Sequence, residues 1–64
     1  MGILSEVLIV RLADSETFIG HCWASGDGRF EAFWYEGTER TTMFFDCNGI
    51  QQGAWKKYRL KFKG

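Results

Sequence analysis

The residues with the clearest chemistry lie at the C-terminal end of this 64-residue chain, where basic side chains alternate with aromatic and aliphatic ones. Five of the eight lysine and arginine residues fall in the last ten positions. Four of these occupy alternate positions: Lys57, Arg59, Lys61 and Lys63. Since alternate side chains of a β-strand point to one side, a strand here would carry a single positive row roughly 20 Å long. Such a row could bind phosphate groups or an acidic protein surface.

This basic row has three interpretations. It could bind single-stranded nucleic acid, with bases stacked on rings of neighbouring strands; the rings considered are Trp23, Phe33, Tyr35 and Trp55. It could instead protect a sheet edge against aggregation, or dock on an acidic protein or on a second copy of the chain. The sequence pI near 6.5 lies well below that of typical nucleic-acid-binding domains. Nucleic-acid binding is therefore the alternative hypothesis.

The distribution of charge favours self-association. The net charge is zero, yet residues 1–54 carry all eight acidic residues and only three arginines, whereas the last ten residues carry five basic residues and no acid. A two-fold dimer could bring the basic segment of each copy close to acidic turns of the other. We therefore expect a homo-oligomer, most simply a dimer.

Aromatic residues make up 17% of the chain, which is more ring surface than a core of this size readily encloses. Some of these rings should therefore lie at a contact surface. Aromatic side chains give a large contact area for little rotamer entropy, and the anchors predicted for a protein partner are Trp23, Trp34, Tyr35 and Trp55. Lys57 and Arg59 should set the orientation and rate of binding more than its affinity.

The sequence contains no pattern that indicates catalysis. His21 is the only histidine, and in a strand the adjacent Cys22 would point to the opposite face, so the two could not form a local dyad. The acidic residues lie chiefly at predicted turns, where carboxylates are usually solvated. Cys22 and Cys47 match no metal-ligand spacing, and their pairing is left open. We expect no enzymatic activity, no metal and no cofactor.

The fold that must position these residues is predicted to be all-β and to form one domain over residues 1–64. Five segments rich in β-branched or aromatic residues follow one another at about ten-residue spacing: 7–12, 17–24, 29–35, 41–47 and 55–63. Polar or glycine-containing breaks separate them at 14–16, 25–28, 36–39 and Asn48-Gly49. This spacing predicts a five-stranded antiparallel meander closing into a small SH3-like or OB-like barrel or a strongly bent sheet.

The apolar pattern assigns the faces of some strands. In the last segment Tyr58, Leu60 and Phe62 alternate with the basic row, and in the first segment Leu8, Val10 and Leu12 are predicted to point inward. The middle segments are apolar on both faces, which indicates that one face meets a partner. Segments 3–12 and 55–63 also fit a helix, so for them the choice between strand and helix stays open.

These features together predict a non-enzymatic, self-associating module that binds a protein partner. No apolar run is long enough to cross a bilayer, and the N-terminus lacks the features of a secretory signal, so we expect a cytoplasmic protein. Short chains with one interaction surface are often accessory proteins of phages or other mobile elements that act on a host protein. That origin is a hypothesis for this chain.

Overall fold

The computed structural model describes residues 4–53 and 55–63. Within them the chain forms no helix and five β-strands, which are β1 (Ser5–Arg11), β2 (Glu16–Gly26), β3 (Arg29–Glu36), β4 (Glu39–Asp46) and β5 (Tyr58–Phe62). All neighbouring strands are antiparallel, in the order β4-β3-β2-β1-β5. The sheet curls strongly into a half-barrel, which confirms the predicted all-β class. The helical alternatives for segments 3–12 and 55–63 are wrong for residues 4–12 and 55–63. Ile3 lies outside the described residues.

Two of the predicted turns are tight hairpin loops. Asp27 and Gly28 connect β2 to β3, and both have positive φ, at 57° and 71°. Such Asp-Gly loops match the twist of the flanking strands. Between β3 and β4 the loop is Gly37-Thr38, with Gly37 at φ 66° in the first central position, where a type II′ turn requires glycine. The Gly37-Thr38 turn therefore sets the register of β3 and β4, whereas the β2–β3 register depends on the Asp27-Gly28 turn together with a bulge between Ala24 and Gly26 that shifts the pairing by one residue.

The connection from β4 to β5 differs from a simple hairpin. A turn does form at Asn48-Gly49, but it returns the chain only to Ile50 and Gln51, where Gln51 bridges to Phe45. β5 then pairs with β1 rather than β4. The side chain of Gln51 is buried, and its Oε1 accepts hydrogen bonds from the backbone N–H groups of Lys57 and Tyr58 at 2.7 and 2.9 Å. This glutamine therefore sets where β5 begins.

The core lies inside the curl. Its members are at most 2% exposed: Val7, Ile9, Cys22, Ala32, Trp34, Phe45 and Leu60. Gly20 marks the point where β2 leaves β3, because residues 16–20 pair only with β1. A Cβ at Gly20 would lie 2.9 Å from the carbonyl oxygen of Phe33 and 3.1 Å from Ile9. The absence of a side chain at Gly20 therefore permits the close strand approach that the curl requires.

The predicted orientation of β1 is wrong by one residue. Val7 and Ile9 are the buried pair, whereas Leu8 and Val10 are half-buried on the outer side and Leu12 is 49% exposed. Both alternate sets of β1 are apolar, so the local pattern fits either orientation. The neighbouring strands decide it, because Ile9 lies opposite Phe18 on β2 and Leu60 on β5.

Candidate functional site

The outer side of the half-barrel carries a row of large side chains that the core does not use. We call it the convex face, and it consists of the outward residues of all five strands: Glu6, Leu8, Val10, Thr17, Ile19, His21, Trp23, Arg29, Glu31, Phe33, Tyr35, Arg40, Thr42, Phe44, Asp46, Arg59 and Lys61. Strand alternation places them together, because each is flanked in sequence by inward-facing residues. Since the core inside the curl is already complete, these side chains are available for contact.

An aromatic platform occupies the β2–β3–β4 part of the convex face. It consists of His21, Trp23, Phe33, Tyr35 and Phe44. The His21 ring stacks on the Phe33 ring with centroids 5.8 Å apart and an interplanar angle of 29°, and the Trp23 ring lies 5.9 Å from the same ring. Tyr35 is 56% exposed and Phe44 is 38% exposed. The platform thus combines rings held by mutual packing with two rings that are open to a partner.

Two arginines lie against rings of the platform. The Arg40 guanidinium carbon is 4.6 Å from the Phe33 ring centroid, and that of Arg29 is 5.1 Å from the Phe44 centroid. Such cation–π contacts hold the long side chains in place while leaving their N–H groups able to donate. The platform therefore carries pre-positioned positive charge as well as aromatic surface.

The basic row lies on the same face, but β1 separates it from the platform. Arg59 and Lys61 are on β5, opposite Val10 and Leu8, while Lys57 and Lys63 lie just outside the strand. All four basic residues are exposed. Lys63 Nζ lies 2.7 Å from Glu6 Oε1, which lowers the pKa of that carboxyl through the hydrogen bond and the opposite charge. The edge of β5 that does not pair with β1 is partly covered, since Leu60 N–H donates to Gly49 C=O at 2.9 Å.

The structure separates the predicted anchors. Trp34 is 1% exposed and packs edge-on against Tyr58 and beside Phe45, so it is a core residue, and its prediction as a contact residue is wrong. It alternates with the exposed Tyr35 along β3, and only the direction of the curl decides which of them is inside. Phe33 and Phe44, which the anchor prediction omitted, lie on the platform; apolar residues on both faces of their segments were the signal that pointed to them.

The remaining anchor, Trp55, is 81% exposed and lies outside the strands, in the segment that leads to β5. The residues that follow it help to line a surface groove of about 530 Å³ between this segment and the β1–β2 turn. The groove is lined by Arg11, Leu12, Ala13, Lys56, Lys57 and Tyr58. Two of its polar groups are already occupied, because Lys56 Nζ donates to Gly53 C=O and Tyr58 Oη donates to Glu36.

One carboxylate ties three strands together beside this groove. Glu36 accepts hydrogen bonds from Tyr58 Oη at 2.6 Å, from Trp34 Nε1 at 2.9 Å and from Arg11 at 3.0 Å. The bonds from Tyr58 and Trp34 lower the pKa of Glu36. Burial and the bond to Glu36 raise the pKa of Tyr58 to about 12. Arg11 also contacts Asp14 and Glu16, so the cluster is a saturated structural network rather than a poised catalytic pair.

Among residues 4–53 and 55–63, no group of three or more His, Cys, Asp or Glu side chains could hold a metal ion. His21 stacks on a ring, while Cys22 lies on the opposite, buried face, where desolvation raises the pKa of its thiol. Cys22 and Cys47 are both free thiols. The described segments also contain no helix of the length and apolarity that a membrane span requires.

Comparison with protein families, with characterised proteins and with solved structures gave no significant match.

Proposed function

We propose that this protein is a non-enzymatic binding module that contacts a protein partner through the convex face and also associates with itself. The observation that carries the proposal is the aromatic platform, which lies outside a core that is complete without it. Aromatic and arginine side chains are enriched at protein interfaces, and a few such residues supply most of the binding energy. SH3-like and OB-like folds host many functions, so the architecture itself adds nothing to this choice.

The charges of the convex face favour an acidic partner surface. Its cations include Arg40, Arg59 and Lys61. Of its carboxylates, Glu6 is paired with Lys63, Asp46 accepts hydrogen bonds from the backbone N–H groups of Asn48 and Ile50, and Glu31 lies between Trp23 and Phe44. Lys57 and Arg59 at the margin would steer the encounter. A small module that binds acidic protein surfaces could block or recruit another protein. We propose that this chain is an accessory protein of a mobile element and acts on a host protein in this way.

The test of partner binding is affinity capture from the source cell followed by mass spectrometry. Tyr35→Ser removes an exposed ring of the platform, and Leu12→Ser is the matched control, because Leu12 is similarly exposed but lies in the β1–β2 turn, away from the platform. Partners of the convex face should be lost with Tyr35→Ser and retained with Leu12→Ser. Equal capture by the two variants would reject the platform as the binding site.

Single-stranded nucleic acid is the second candidate, and the cation–π pairs favour it. Rings flanked by Arg29 and Arg40, with a basic row across β1, resemble the combination of stacking and charge that single strands require. Glu31 disfavours it, because this carboxylate lies opposite both Trp23 and Phe44 and would repel phosphate. If the protein binds single-stranded nucleic acid, the logarithm of its affinity should fall linearly with the logarithm of the salt concentration. Lys61→Ala should then reduce the slope of this dependence by about one unit. Undetectable oligonucleotide binding at low salt removes this candidate.

A further inference from the structure

One edge of the sheet has free backbone groups. β4 is an edge strand, and the segment 50–52 covers only its C-terminal end, where Gln52 N–H donates to Phe44 C=O and Asp46 N–H donates to Ile50 C=O. These two bonds show that the peptide groups of residues 44 and 46 point away from β3. Since peptide groups alternate along an antiparallel strand, those of Arg40 and Thr42 point the same way. Within residues 4–53 and 55–63, no backbone bond reaches them.

The two edges of the sheet differ in how they are protected. On β5 the backbone is partly covered by Gly49 and Ile50, and the strand carries Arg59 and Lys61, with Lys57 and Lys63 next to its two ends. Along β4 the only outward charge beside the free groups is Arg40, and its guanidinium is turned back over the Phe33 ring, away from the edge. An uncovered edge without such protection is a template for pairing with another strand.

We propose that two copies of the chain pair through their β4 edges, antiparallel and with Thr41 on the two-fold axis. The proposal deepens the self-association included in the proposed function and rests on it. The occupant of the edge is a second copy because the segment is self-complementary in only one register, as the three possible alignments show.

Three antiparallel alignments place free peptide groups of the two copies opposite each other. Centring on Arg40 sets this cation directly opposite its own copy, which is unfavourable. Centring on Thr42 sets Arg40 opposite Phe44 of the second copy, where Gln52 already occupies the edge. Centring on Thr41 sets Arg40 opposite Thr42 of the second copy, and Thr41 opposite itself. Only this third alignment opposes no like charges and leaves Gln52 in place, and it forms four backbone hydrogen bonds.

The paired sheet would join the two convex faces into one surface, with the platforms on both sides of the new junction. Edge pairing over so short a segment is a small interface, and interfaces below about 1,200 Å² are typical of weak complexes. The dimer should therefore dissociate in the micromolar range and be present in quantity only at high concentration or on a bound partner.

The register can be tested by cysteine cross-linking. In the proposed alignment the Thr41 Cα atoms form a non-hydrogen-bonded pair about 4.5 Å apart, within the range for a disulfide. The Thr42 Cα atoms would be roughly 8 Å apart, too far to be bridged. In a Cys47→Ser background, which removes the exposed native thiol, mild oxidation should convert Thr41→Cys to a covalent dimer and leave Thr42→Cys largely monomeric. Circular dichroism would verify that both variants fold.

A second variant tests the hydrogen bonds themselves. Thr42→Pro removes an N–H group that has no partner within the described monomer, so the fold should persist while two of the four bonds between copies are lost. Sedimentation equilibrium should show the dissociation constant of the dimer rise by about tenfold or more. Equal cross-linking of the two cysteine variants, or an unchanged dissociation constant for Thr42→Pro, would overturn the β4 register but not self-association. A wild-type chain that stays monomeric at millimolar concentration would overturn both, and binding of another protein would still stand.

Discussion

Replacing Glu36 by glutamine should destabilise the half-barrel by about 2 kcal/mol. The carboxylate accepts three hydrogen bonds, two of them at the same oxygen, from Tyr58 and Trp34, and one from the cationic Arg11 at the other oxygen. Hydrogen bonds to charged groups contribute about 1.5–3 kcal/mol each. Glutamine keeps one oxygen as a neutral acceptor for Tyr58 and Trp34, so these two bonds lose their charge assistance. It turns an amide N–H₂ toward Arg11, so the third bond is lost. We take the lower part of the range because the Glu36 side chain is 22% exposed.

This loss is large for a chain of 64 residues, whose total stability is expected to be roughly 3–10 kcal/mol. At about 4–8 °C per kcal/mol for a domain of this size, the melting temperature should fall by roughly 8–16 °C. Glu39→Gln is the matched control, because Glu39 lies across the same hairpin turn and is exposed. The assay is urea or thermal unfolding followed by circular dichroism, with Tyr58→Phe added to complete a double-mutant cycle.

The dependence on pH gives the sharper test. The folded-state pKa of Glu36 is lowered, chiefly by the bond from Tyr58, so its stabilising contribution is present above the ordinary carboxyl pKa and is lost as pH falls through the folded value. Wild type and Glu36→Gln should therefore differ at neutral pH and converge in acid. Equal stability of Glu36→Gln and Glu39→Gln at neutral pH would refute the conclusion that the hydrogen bonds of Glu36 stabilise the contact between β1, β3 and β5.

Three other outcomes are expected. Gly20→Ala should cost about 1–3 kcal/mol in urea unfolding, because its Cβ would lie 2.9 Å from a carbonyl oxygen of β3. Gly49→Ala should be clearly worse than Gly37→Ala: both residues have positive φ, but a Cβ at Gly49 would overlap the Leu60 carbonyl oxygen, whereas Gly37 faces open space. Alkaline unfolding should be steepest between pH 10 and about 12, since Tyr58 has a folded pKa raised to about 12 and its contribution is lost as pH rises through that value; Tyr58→Phe should flatten this part of the profile.

Much of the local structure could be predicted from the sequence. The Asp27-Gly28 and Gly37-Thr38 loops lie where the turn residues indicated, and the five strands overlap the five predicted segments. The alternation in β5 also holds, with Leu60 inside and Lys61 outside. These features depend on φ preferences and on the period of two in a strand, which neighbouring residues determine by themselves.

The partners of the strands could not be predicted in the same way. A meander pairs consecutive strands and would place the last strand beside β4, yet Gln51 holds the intervening chain and β5 lies beside β1. The hydrogen bonds of Glu36 could not be predicted from the sequence either. Arg11, Trp34 and Tyr58 are far apart along the chain, and they meet at Glu36 only when the sheet curls.

What the sequence determined by itself is the set of strands, their turns, and the two alternating faces of each strand. What only the tertiary structure decided is which face lies inside. Trp34 and Tyr35 are adjacent rings on β3, and Val7 and Leu8 are adjacent aliphatic residues on β1, yet one member of each pair is in the core and the other faces out. A strand that is apolar on both sides buries either side equally well when considered alone. The direction in which the whole sheet curls breaks that equivalence, and it thereby leaves the platform on the convex face.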